Sequence, residues 1–226
     1  MNATVSVSSD QMTSNLGRTT AAWANSVYLR GVKRAFDLAL VLLTAPIWVP
    51  VVAALAALVA LDGASPFFFQ DRVGRDGRKF RMVKLRTMVP DAEEKLGKLL
   101  AADPELAEEW RVSQKLRHDP RVTAIGRLLR RTSLDELPQL WNVMTADMSL
   151  VGPRPMLVSQ QDLYPGTAYY RFRPGITGAW QIHGRNESSF SGRAAYDNFY
   201  ARKSSFGVDF SILMRTVNVV LRGSGV

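Results

Sequence analysis

Asp135 and Glu136 stand side by side in the run Thr132-Ser133-Leu134-Asp135-Glu136-Leu137-Pro138-Gln139-Leu140-Trp141-Asn142. Adjacent carboxylates repel as anions, so one of them tends to keep its proton to higher pH. Such a pair can divide its work: one group stays charged as a nucleophile while the other handles a proton. Arg130 and Arg131 come just before and could neutralise phosphate oxygens. The same residues also have a plainer meaning. Ser133-x-x-Glu136 spells a capping box, and acidic residues favour a helix's first turn. The spacing therefore predicts a helix N-terminus here. The two readings are compatible, because a helix N-terminus would keep Asp135 ionised and favour a phosphate held close by.

Three further stretches carry polar groups on constrained backbone. In Asp147-Met148-Ser149-Leu150-Val151-Gly152-Pro153-Arg154-Pro155, two prolines bracket Arg154. That suits an arginine aimed at one phosphate or base, or equally a stiff exposed turn. The run Arg173 to Asn186 combines Gly and Pro with Trp180, Gln181, Arg185 and Asn186, which supply stacking and hydrogen-bond groups. Tyr196-Asp197-x-x-Tyr200 reads by itself as helix surface. No Walker-type loop, strand-associated GxGxxG or readable Ser-His-Asp arrangement is present. The absence of cysteine excludes disulfides and thiolate metal sites, and two histidines, His118 and His183, argue against a multi-histidine zinc centre.

These groups need elements to hold them, and the most distinctive is apolar. Leu38 to Leu61 is a run of 24 residues without a charge, with Pro46 and Pro50 in its middle. A helix of this length could span the ~30 Å hydrocarbon core. Two features oppose a simple crossing. The prolines disturb two successive turns near the bilayer centre. Both flanks are also basic, with Arg30, Lys33 and Arg34 before the run and Arg72, Arg75, Arg78, Lys79, Arg81, Lys84 and Arg86 after it. Positive flanks stay on the cytoplasmic side, so a re-entrant hairpin broken at Pro46 and Pro50 is preferred to a full crossing. Thr44 is a candidate partner for the broken turns. Asp37 is expected to pair with Arg34, three residues back on a helix.

Residues 66 to 89 predict a β-hairpin, Phe67 to Val73 and Lys79 to Met88, turning at Gly74 and Asp76-Gly77. Residues 91 to 117 predict helix interrupted near Asp103-Pro104 and serve as a lid or spacer. The basic segment 121 to 131 is either a surface helix packed on a core or an interfacial helix on anionic lipid. Asp209 is expected to cap a helix through Leu221. The first 29 residues read as a loose tail rather than a signal peptide. A net charge of +9 fits anionic lipid or phosphorylated substrates better than nucleic acid once a membrane segment is present. No recognisable nucleic-acid module occurs.

Taken in order, KRAFDLALVLL, RVGRDGRKFRMVKLRTM, DPRVTAIGRLLRRTSLDELPQLWNV, DMSLVGPRP and RPGITGAWQIHGRN resemble the bacterial sugar transferases of the monotopic phosphoglycosyl transferase family. The likeness runs from about Lys33 to Leu221. It implies a mainly helical α+β fold: a re-entrant helix-break-helix membrane hairpin, a small β-hairpin, and amphipathic interfacial helices around a compact cytoplasmic catalytic domain. The expected division is a tail (1–29), a membrane hairpin (30–64) and a catalytic domain (65–226). The implied enzyme sits on the cytoplasmic face of the bacterial inner membrane. It passes a sugar-1-phosphate from a UDP-sugar to undecaprenyl phosphate and releases UMP, with Asp135 as nucleophile of the Asp135-Glu136 dyad. Magnesium is the implied metal, with Asp135 as its ligand. Lys84, Arg86, Arg131, Arg154, Gln181, Arg185 and Asp197 fall on the family's phosphate- and nucleotide-binding positions. Membrane lipids are implied partners, nucleic acid is not, and a homo-oligomer is compatible with the pattern. Larger relatives add four N-terminal transmembrane helices and another domain, so this chain is expected to be the catalytic unit alone. Its wording is nearest to short members that start exopolysaccharide repeats with galactose- or glucose-1-phosphate. Ala45 departs from the serine that several relatives place before the membrane proline, and His183 stands where smaller residues are common. The competing reading is a basic, membrane-anchored adapter without enzymatic activity. It accounts for the charge and the apolar run but not for the ordered motifs.

Overall fold

The computed structural model describes residues 27–113, 116, 118–183 and 190–221. Among these the chain is mainly helical, with two two-stranded sheets. A π-helical turn, Tyr28–Val32, leads into helix α1 (Lys33–Val59). Strands β1 (Phe67–Val73) and β2 (Lys79–Leu85) follow, then helices α2 (Ala92–Ala102), α3 (Pro104–Ser113), α4 (Ala124–Thr132) and α5 (Gln139–Met144). Strands β3 (Ser149–Val151) and β4 (Gly175–Thr177) precede helices α6 (Ala179–His183), α7 (Arg193–Lys203) and α8 (Phe206–Leu221). Arg185, Asn186 and the tail up to residue 26 lie outside the described residues.

The backbone stays helical through Pro46 and Pro50, where the sequence predicts a break. The reason lies in their spacing. Pro46 removes the bond to the carbonyl of Leu42, and Pro50 removes the bond to the carbonyl of Pro46. Both losses fall in one longitudinal row, and the other rows of the ladder carry the helix past them. The helical stretch Tyr28–Asp62, 35 residues, is long and apolar enough to cross a membrane. Several of its apolar side chains are bare: Leu43, Ile47 and Leu61 are 78%, 69% and 79% exposed.

The described residues divide into two compact units. The first takes the chain up to Leu43 with Asp71–Phe80 and Val143–Thr216. Here β3 and β4 pair in parallel, Ser149 opposite Gly175 and Val151 opposite Thr177. Gly152 and Gly175 permit the close approach, since a Cβ on either would collide with backbone of the other. Val73, Met156, Tyr164, Tyr169 and Ala194 form a buried apolar cluster. A polar network secures the start of α1. Asp37 accepts from Ser149 Oγ at 2.6 Å and from Leu150 N at 3.3 Å. Asp209 accepts from Lys33 Nζ, from Tyr28 OH at 2.6 Å and from Tyr200 OH at 2.7 Å. Two expectations are corrected here. Asp37 does not pair with Arg34, whose guanidinium donates to the carbonyls of Val143 and Met144. Asp209 is not a cap but a fully buried residue inside α8. In both cases a partner brought by the fold satisfies a buried charge better than a local one facing water.

The second unit takes Thr44–Gln70 and Arg81–Asn142 with the chain from Val217. Ala56, Val59, Leu85 and Leu129 form its buried cluster. The expected hairpin is present, though β2 ends at Leu85 and Met88 instead bridges Val122. The break between α2 and α3 falls where predicted. Asp103 Oδ1 accepts from Glu105 N and Leu106 N at 2.9 and 3.2 Å, which caps the second helix. Helix α4 starts at Thr123, whose hydroxyl accepts from Gly126 N at 2.9 Å. The capping box predicted at Ser133 is overturned. Ser133 has φ 57°, ends α4 in the left-handed conformation and makes no side-chain cap bond. That conformation turns the chain sharply, so Leu134–Glu136 forms a single 3-10 turn rather than opening a long helix.

Candidate active site

Asp135 sits in that 3-10 turn and is only 8% exposed. Burial pushes its carboxyl up to about 6; Lys84 and Arg130 pull it down, and the neighbouring Glu136 charge pushes it further up. Glu136 Oε1 takes the ammonium of Lys84 at 2.7 Å. Strand β2 carries Lys84, and Asn142 fixes that strand. Its Oδ1 accepts from Val83 N at 3.0 Å and its Nδ2 donates to Arg81 O at 2.9 Å, so the side chain mimics a neighbouring strand. Arg130 Nε donates to Thr87 Oγ1 at 2.9 Å, while Arg131 is exposed. Gln139, 2% exposed, has no partner for its Nε2 among the described residues.

Arg86, a predicted phosphate ligand, is placed otherwise. It forms a fork on Asp62, Nη1 to Oδ2 at 2.9 Å and Nη2 to Oδ1 at 2.6 Å, and donates to the carbonyls of Val59, Ser65 and Met88. Its donors thus clasp the end of α1 to the strand exit.

The first unit holds Arg154, Gln181 and Asp197. Arg154 lies 5.7 Å from the Trp180 ring centre, and Arg193 lies 4.3 Å from the same ring. Burial and the nearby Arg154 charge lower the Arg193 guanidinium to about 10. Asp197 is buried and accepts from Tyr164 OH at 2.7 Å. Burial pushes its carboxyl up to about 6, against the downward pull of that hydrogen bond and of Arg193. Both amide atoms of Gln181 are buried with no hydrogen-bond partner among the described residues. Arg193 and Tyr164 are the residues that motif reading missed. The Arg193–Asp197 spacing of four on a helix was the available signal. His183 is tied to Ala179 O at 3.2 Å and lies against Arg215 Nη1 at 2.5 Å.

A model of the family described as bacterial sugar transferase matches residues 28–223. The chain belongs to this bacterial sugar transferase family. It is 44% identical over 198 residues to the UDP-galactose-lipid carrier transferase of Erwinia amylovora, covering 87% of this chain and 42% of that protein. It is 41% identical over 196 residues to the exopolysaccharide production protein ExoY of Rhizobium meliloti (strain 1021), covering 85% and 87%. The undecaprenyl-phosphate galactose phosphotransferase of Salmonella typhimurium is 42% identical over 198 residues, 87% of this chain and 42% of that protein. The chain thus spans less than half the length of the two longer relatives.

Among the described residues no three acidic or histidine side chains gather as a metal cage. Asp135 alone offers one carboxylate, Glu136 being held by Lys84. This donor set fits magnesium held by one protein carboxylate together with substrate phosphates, the usual habit of that ion.

Proposed function

We propose that the chain transfers a sugar-1-phosphate, galactose or glucose, from a UDP-sugar to undecaprenyl phosphate as the first membrane step of exopolysaccharide or glycoconjugate assembly. The observation that carries this reading is the buried Asp135 beside the Lys84–Glu136 ion pair, in a chain of the sugar transferase family. The names of the relatives support the substrate classes.

In this reading the ionised Asp135 carboxylate attacks the sugar-linked phosphorus. A P–O bond forms to Asp135 and the P–O bond to UMP breaks, with the electron pair leaving on UMP. An oxygen of undecaprenyl phosphate then attacks the same phosphorus and frees the carboxylate, a ping-pong course. Lys84 and Arg130 are assigned to neutralise charge on the phosphoryl oxygens. Magnesium bound at Asp135 would offset diphosphate charge. Arg154, Gln181, Asp197 and the Arg193–Trp180 stack are assigned to the nucleotide, with Arg131 and Arg185 as further phosphate contacts. Arg86 holds α1 and acts on phosphate only through position.

The apolar helix is assigned to the membrane as a re-entrant segment whose backbone stays helical while its axis bends along the row of bonds lost at Pro46 and Pro50, returning to the cytoplasmic face. Helix α8 adds a stripe of half-exposed Phe206, Phe210, Met214 and Val217, which suits an interfacial position.

Full chain in lipid is incubated with a UDP-sugar panel, undecaprenyl phosphate and Mg²⁺, and UMP is measured. Wild type should release UMP and Asp135→Asn should not. No UMP from wild type with any donor would overturn the transferase, and a fully active Asp135→Asn would overturn the nucleophile. Single cysteines at Val27 and Ser65 report the bend: labelling from one face supports re-entry, and labelling from opposite faces restores a crossing.

A further inference from the structure

The first unit contains a cavity of about 510 Å³ that none of the catalytic assignments uses. Six cationic side chains line it, Arg30, Lys33, Arg34, Arg75, Arg171 and Arg173, against the two carboxylates of Asp37 and Asp76. Both acids are already engaged. Asp37 is held by Ser149 and Leu150, and Asp76 lies 3.5 Å from Arg75. Lys33 is likewise held by Asp209, and the remaining lining still carries more cationic than acidic side chains.

Two of the arginines are preset. Arg34 is oriented by the carbonyls of Val143 and Met144, and Arg173 Nε donates to Ala146 O at 2.7 Å. Each guanidinium has five donors, so both keep N–H groups for a guest. The like charges of Arg34 and Arg75, after burial, hold the Arg173 guanidinium below its ordinary value. An anion placed among them would relieve that repulsion. The setting narrows the source. Lys33 and Arg34 open α1, and Leu42 and Leu43 on the same helix are 56% and 78% exposed. Eight residues of helix separate Arg34 from Leu42, about 12 Å at 1.5 Å per residue. A phosphate in the cavity could thus belong to a molecule whose acyl chains lie along α1.

We propose that this cavity is a second phosphate-binding site, separate from the Asp135 cluster in its residues, and that it takes the headgroup phosphate of an anionic phospholipid. Free phosphate or diphosphate shares the recognition chemistry.

The full chain is purified in mild detergent and titrated with phosphatidylglycerol, phosphatidylcholine or inorganic pyrophosphate, with adducts counted by native mass spectrometry. No UDP-sugar is present, so the outcome is independent of the transferase reading. Wild type should saturate with one phosphatidylglycerol and hold phosphatidylcholine weakly. R75Q/R171Q should bind phosphatidylglycerol about tenfold more weakly, the scale of losing charge-assisted hydrogen bonds. Arg75 is half exposed, so R75Q alone should fold as wild type and show part of that loss. D76N, which removes a negative charge from the rim, should tighten binding. Pyrophosphate binding as strong as phosphatidylglycerol, and lost in the same variants, would keep the anion site and overturn the lipid as its source. Equal phosphatidylglycerol retention by wild type, R75Q and R75Q/R171Q would overturn the site itself.

Discussion

Lys84 Nζ lies 2.7 Å from Glu136 Oε1 across 52 residues of sequence. The pair sets the electrostatics of Asp135, because Lys84 lowers a carboxyl that burial and Glu136 raise. Removing the ammonium as Lys84→Met should move Asp135 above its value of about 6. The acidic limb of kcat/KM for UMP release should then shift to higher pH, and the rate near neutrality should fall by about 10²-fold. Lys84→Arg should keep the limb near its wild-type position. An unshifted limb in Lys84→Met would show that Lys84 does not act through Asp135.

Asp135 also predicts a pH-dependent stability. Its folded pKa of about 6 exceeds the ordinary carboxylate value. Between roughly pH 4 and 6 the native state binds more protons than the unfolded chain, so stability falls as pH rises through this window. The full loss is on the order of 2–3 kcal/mol. Asp135→Asn does not titrate and should melt about 5–10 °C above wild type near pH 7.5. The two proteins should converge at about pH 4. A melting difference that stays constant across this range would refute the raised carboxyl.

Gln181 buries both amide atoms without partners among the described residues, an arrangement that costs stability unless a ligand completes it. Gln181→Leu should therefore stabilise the free protein by about 1 kcal/mol. If the amide meets the nucleotide, the same change should raise KM for the UDP-sugar with little effect on kcat. Urea denaturation and steady-state kinetics read the two effects separately.

Asn142 supplies one acceptor and one donor to the backbone of β2. Asn142→Leu leaves the buried Val83 N–H without its acceptor and removes a part-buried bond to Arg81 C=O, and should cost about 1–3 kcal/mol. A urea midpoint unchanged by the substitution would show that β2 is held by other contacts.

Local pattern made several elements readable. Alternation and turn residues located the hairpin of β1 and β2, and Asp103-Pro104 separated two acidic helices where the structure separates them. The apolar run was plain from composition, and the family from the order of motifs. The capping box failed because Ser133 adopts a left-handed conformation. A Ser-x-x-Glu spacing is satisfied on paper by either geometry, and only the end of α4 selects between them. Arg86 matched a phosphate-binding position in sequence, yet its guanidinium is engaged by Asp62 and three carbonyls.

The sequence alone determined the first hairpin, the division of α2 from α3, the apolar segment with its two prolines, and the identity of the acidic pair, because each is written in neighbouring residues. The tertiary structure alone decided that Asp135 is buried and that Lys84 faces Glu136. It also decided that Lys33 meets Asp209 from 176 residues away, and that six cationic side chains share one cavity. Burial and long-range pairing depend on which distant segments the folded chain brings together. Charge shifts follow from that environment, so no local spacing encodes them.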